Sequence, residues 1–127
     1  MKREIKFRGE RVDNDEFVYG YLTKMWGLLH IVDLNNENLA YTVIPETVCQ
    51  FTGLHDKNGV EIYEGDIVRH NGNLESLIEF DAEDAGFKSK NKYFGKLHPS
   101  KEFFKDHVEA IGNIYQHPHL LEGAGHD

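Results

Sequence analysis

The chain has 127 residues, 39% of them apolar, and its Leu, Ile, Val and Phe number 35. That is enough for one packed domain and too apolar for a disordered segment. No stretch approaches the ~18 uninterrupted apolar residues of a membrane span, and one cysteine cannot form an internal disulfide. The net charge of −8 argues against sequence-independent wrapping of nucleic acid, which depends on neutralising many phosphates.

The first residues, MKREIKFRGER, carry charges at every second or third position and lack the apolar core of a signal peptide. A reducing cytoplasm is the compartment expected. Charge is segregated along the chain. Basic residues dominate the first twelve positions, Glu75, Glu79, Asp81, Glu83 and Asp84 form an acidic run, and six lysines follow between Lys88 and Lys105. Adjacent runs of opposite sign are expected to face each other or to lie on solvated surface.

Val12-Asp13-Asn14-Asp15 reads as a turn, and the aromatic, β-branched run from Glu16 to Thr23 as a strand. Leu28–Leu34 is its expected hairpin partner, with Trp26-Gly27 near the turn. Asn35–Asn38 is a polar loop, and Tyr41–Ile44 a third strand stopped by Pro45. Asn58-Gly59 marks another turn. Short strands are then expected at Val60–Tyr63, Ile67–His70 and Ser76–Phe80, separated by Glu64-Gly65-Asp66 and Asn71-Gly72-Asn73, as a β-meander. Residues 82–100 fit either a strand or a loop. Phe103, Phe104, Val108, Ile111 and Tyr115 approximate helical spacing, but Gly112-Asn113 favours a strand near Val108–Tyr115. Pro118–Leu121 allows one helical turn, and residues 122–127 are expected to fray.

The fold expected is mainly β, with α+β as the alternative. It would be a small barrel-like or meander sheet of short antiparallel strands with little helix, forming one domain over residues 1–127.

Several segments, in order, carry a resemblance. They are Arg3–Gly9 (REIKFRG), Val18–Tyr21 (VYGY), Ile44–Val48 (IPETV), Gln50–Leu54 (QFTGL), Asp56–Gly59 (DKNG), Ile62–Arg69 (IYEGDIVR) and Ile111–Tyr115 (IGNIY), with His117-Pro118 after them. The series resembles the YopX family of small proteins carried by bacteriophages and prophages, from about residue 3 to residue 122. Cys49 stands where the family pattern suggests a small residue such as Gly. The resemblance implies a single-domain cytoplasmic protein of a mobile element, and it brings no catalytic residue or cofactor with it.

The residues themselves offer three constellations. Arg69 with Tyr63 and Phe80, and Lys88, Lys90, Lys92 and Lys96 with Tyr93 and Phe94, could meet phosphates and stack bases or contact a protein partner. The same Gly-Asp and Asn-Gly dipeptides mark ordinary hairpins. His117-x-His119, with His107 and His126 near in sequence, is the densest histidine group, but Pro118 separates the pair and no metal motif supports it. A metal-dependent enzyme would need a pocket gathering several of His30, His55, His70, Glu64 and Asp66. Cys49 reads as a small buried hydrophobe.

No catalytic residue, cofactor or metal is assigned. The function expected is that of a phage-derived accessory protein acting by binding or self-assembly, with a homo-oligomer the expected state and no membrane partner. Aromatics such as Tyr19, Tyr21, Trp26 and Phe87 would supply the surface. A nucleic-acid-binding β module and a metal-dependent enzyme are the alternatives.

Overall fold

The alternation Lys6-Phe7-Arg8-Gly9-Glu10 builds a strand that its charges disguise. In a computed structural model, which describes residues 4–70, 74–91 and 95–124, Phe7–Glu10 forms β1, with Lys6 and Arg8 both buried. The Lys6 ammonium lies 4.9 Å from the Phe51 ring centre, and the Arg8 guanidinium 4.9 Å from that of Phe17. Aromatic faces thus receive the two cations as the strand buries them.

The chain divides into two units, one ending at Phe51 and the other beginning at Thr52. The first contains β1, β2 (Phe17–Met25), β3 (Leu28–Asp33), β4 (Ala40–Thr42), a 3-10 turn over Pro45–Thr47, and the start of β5 (Cys49–His55). Its strands run antiparallel in the order β4-β3-β2-β1-β5. The expected third strand is shorter than Tyr41–Ile44, because Val43 makes only an isolated bridge to Arg11 before Pro45. Ile31 and Val43 are fully buried here. Gly20 is required by close approach, since a Cβ there would run into the Val32 carbonyl oxygen.

In the second unit Thr52–His55 continue β5, with β6 (Glu61–Tyr63) beside it. There Thr52 Oγ1 donates to the Ile62 carbonyl at 2.7 Å. β7 (Asp66–His70), β8 (Leu74–Asp81), β9 (Gly86–Asn91), β10 (Gly95–Leu97) and β11 (Val108–Asn113) form an antiparallel sheet ordered β10-β9-β8-β7-β11. Leu54, Ile62, Val68, Ile78, Phe104 and Val108 make its apolar core.

The protein is therefore mainly β, as the sequence predicts, but among the described residues its two sheets are open and form no closed barrel. The expected meander is also broken. The Gly65 turn (φ 88°) carries the chain from β6, beside β5, to β7 in the other sheet. The expected turn at Asn71–Asn73 lies outside the described residues.

Residues 82–100 supply β9 and β10. A helix not expected from the sequence, α1 (Lys101–His107), precedes β11. Ser100 caps it by accepting the Phe103 N–H at 3.3 Å, and Phe104 enters the core. Helical spacing holds through Phe104 and gives way to extended backbone at Val108, before the glycine that argued against helix. A second helix, α2 (His119–Ala124), extends beyond the single turn expected, and reaches into the stretch expected to fray.

Candidate functional site

The charged residues singled out in the sequence converge on one face of the second unit's sheet. Register sets Arg69 opposite Glu75, Leu77 opposite Lys90, Glu79 opposite Lys88, and Lys90 opposite Lys96. Direct cross-strand partners share a face, so two of these pairs set acid against base while Lys90 faces Lys96. Arg69 Nε meets Glu75 at 3.0 Å, and Lys96 Nζ lies 3.5 Å from Glu79 and 4.0 Å from Asp81. Lys88, only 4% exposed, donates to Asp84 at 2.8 Å and sits 3.0 Å from His98 Nε2. That hydrogen bond, together with the lysine's charge, holds the Asp84 carboxyl below the usual carboxylate range. Lys90 is exposed. Lys92, Tyr93 and Phe94 lie outside the described residues. Tyr63 is buried, and Phe80 belongs to the face opposite Arg69, so the expected Arg69–Tyr63–Phe80 stacking surface is not assembled.

The turn motifs fasten backbone instead. Asp56, 2% exposed, accepts the N–H groups of Asn58, Val60 and Ala110. Asp66 accepts the Tyr63 N–H at 2.7 Å across the Gly65 turn. Asn113 accepts from Tyr115 and Gln116, and donates its own N–H to His117 Nδ1 at 3.2 Å. His117 is thereby used in a turn, with the His119 ring 6.2 Å away. Among the described residues no group of three or more His, Cys, Asp or Glu is placed to hold a metal ion. Cys49 is buried and donates to the Thr47 carbonyl at 3.2 Å. His30, in the first unit, is buried between the Leu28 carbonyl and Thr42 Oγ1, both at 3.0 Å.

A different surface stands out in the first unit. Residues 17, 19, 21, 23 and 25 share one face of β2, and register places Val32, His30 and Leu28 opposite Tyr21, Thr23 and Met25 on that face. Tyr19, Tyr21 (52%) and Leu28 (54%) are exposed along it. At the hairpin tip Trp26 is 89% exposed.

Its backbone is as unusual as its exposure. Met25 pairs with Leu28, so Trp26 and Gly27 alone make the turn, with φ of 52° and 80°. Positive φ at both positions is the type I′ turn, for which Asn-Gly is the favoured pair. A bulky aromatic in left-handed backbone costs about 1 kcal/mol or more. Trp26 therefore carries strain while leaving its ring in water. The sequence locates the turn and names Trp26, but the exposure follows only from the register.

At the other end of the hairpin, Arg11 donates two hydrogen bonds to Asp13, at 2.9 and 2.7 Å, under a Tyr41 ring 4.4 Å away. That hydrogen-bonded contact lowers the Asp13 carboxyl from its ordinary range and raises Arg11 further.

Among the described residues no helix is long and apolar enough to cross a membrane. No curated protein matches the chain. The fold is similar to the crystal structure of protein EF1440 from Enterococcus faecalis. The TM-score is 0.65 at 23% identity, over 94% of this chain and 99% of that one. The family model described as YopX protein matches residues 6–122, which span β1 through the start of α2 and every turn motif described above, and the chain belongs to that family.

Proposed function

We propose that this protein acts by binding rather than catalysis, through the exposed aromatic face of the β2–β3 hairpin. The observation that carries the reading is Trp26, a tryptophan in strained backbone with 89% of its surface exposed. Strain at a site of this kind is a cost to folding that contact with a partner offsets. Tryptophan and tyrosine are also the residues that most often anchor protein interfaces. The family match supports reading residues 1–127 as one YopX-like domain of a phage or prophage, working in the bacterial cytoplasm.

Self-assembly and binding of another protein would use the same anchor. The nucleic-acid reading is weaker, since carboxylates engage Arg69, Lys88 and Lys96. Replacing Tyr21 by a photo-crosslinking phenylalanine analogue in cells tests the proposal. A discrete product is expected from position 21 and none from exposed Val60 in the second unit. The product should vanish when Trp26→Asn is added. Equal products from both positions, or indifference to Trp26→Asn, would refute the reading. A product of twice the chain's mass assigns self-assembly.

A further inference from the structure

We infer that the partner of the β2–β3 face is a protein surface with an apolar pocket flanked by lysine or arginine, and not a second copy of this chain. This rests on the hairpin reading above. The inference comes from the sign of the charge around the aromatic face. Among the described residues of the first unit the exposed charged ones are Glu4, Asp13, Asp15, Glu16, Glu37 and Glu46 against Lys24, with Glu4 paired to Lys6 and Asp13 to Arg11. The other described cations there are removed from the surface or engaged. Lys6 and Arg8 are buried, and Arg11 is bound by Asp13.

The acids are also placed together. Glu10 pairs with Phe17, so the loop holding Asp13, Asp15 and Glu16 lies at the end of β2 opposite Trp26. Val32 pairs with Ala40, so the β3–β4 loop with Glu37 lies at that same end. The hairpin thus presents an aromatic tip and an acidic base, separated by the nine residues of β2, about 30 Å at ~3.3 Å per residue. A two-fold axis through the acidic base would bring acid against acid, so that end of the hairpin disfavours a second copy. A basic partner has complementary charge at the base and can place cationic side chains over the exposed rings.

Trp26 is the only tryptophan, so its emission reports docking directly. The chain is titrated with two labelled twelve-residue probes, one alternating Lys and Leu, the other Glu and Leu. The Lys–Leu probe should shift Trp26 emission to the blue. Its affinity should fall about tenfold between roughly 50 and 300 mM salt, and about tenfold in a Glu16→Lys, Glu37→Lys variant, while the Glu–Leu probe should not bind. Binding of both probes alike, or indifference to salt and charge reversal, would overturn the basic partner and leave the aromatic anchor standing. Lys–Leu binding with no emission change, and of equal anisotropy-measured affinity in Trp26→Asn, would overturn the hairpin reading itself. A blue shift that grows with protein concentration and no probe present would give the face to a second copy and refute the inference.

Discussion

The carboxylate of Asp56 accepts the backbone N–H of Ala110 at 2.9 Å, joining positions 54 residues apart. Its other oxygen accepts from Asn58 and Val60, at 2.8 and 2.9 Å, so one buried side chain shapes the loop after β5 and ties it to β11. Lys57 adds a backbone bond to the Val108 carbonyl at 2.8 Å. The clasp sits beside Ala110, where the β11 register shifts before Gly112.

Asp56→Ala leaves three backbone donors without their acceptor and is expected to destabilise by about 3 kcal/mol or more. Asp56→Asn keeps one acceptor oxygen, but turns an amide donor toward the donor it must satisfy. It should cost about half as much. Urea unfolding measures both, and an Asn variant as stable as wild type would contradict the assignment.

Trp26→Asn puts the favoured Asn-Gly pair into the two-residue turn. The free chain should gain about 1 kcal/mol, seen as a rise of about 3–5 °C in Tm. A fall in Tm would mean that the indole contributes packing to the fold.

Gly112→Ala tests the seat of α2. A Cβ at position 112 would stand 2.8–2.9 Å from the His117 ring and 2.9 Å from Leu120 Cδ1. Overpacking of that kind costs about 1–3 kcal/mol. Hydrogen exchange should show faster exchange of the α2 amides while β8 and β9 stay protected. Unchanged exchange in α2 would contradict the geometry.

Asp84 gives a pH dependence with a definite sign. Its carboxyl is held below the ordinary value by the Lys88 hydrogen bond, so the native state favours its ionised form. The stability it supplies is present above the unfolded-chain value of about 3.9, and is lost as pH falls through the lower folded value. The Tm gap between wild type and Asp84→Asn should be constant above about pH 5 and should close below about pH 4. A gap that widens on acidification would reverse the assignment.

Turn chemistry was the legible part of the sequence. Asn58-Gly59, Gly65-Asp66 and Trp26-Gly27 all sit where the chain reverses, with φ of 82°, 88° and 80° at the three glycines. β1 escapes because burial of Lys6 depends on Phe51, far along the chain, and burial of Arg8 on the strand pairing that brings Phe17 alongside. α1 escaped because seven residues carry too little periodicity to outweigh a nearby glycine. Its Ser100 cap was the available signal. The candidate surface was named only as a set of aromatics. Cross-strand register decides which share a face, and sequence spacing does not specify the partner strand.

The central claim is that Trp26 stands clear of the fold as an anchor for something else. Acrylamide quenching of its fluorescence in the purified, dilute chain tests this most directly. The account predicts red-shifted emission and quenching close to that of a tryptophan in a short unfolded peptide. Blue-shifted emission that resists acrylamide would show the indole packed against its own chain, and would remove the anchor on which the function rests.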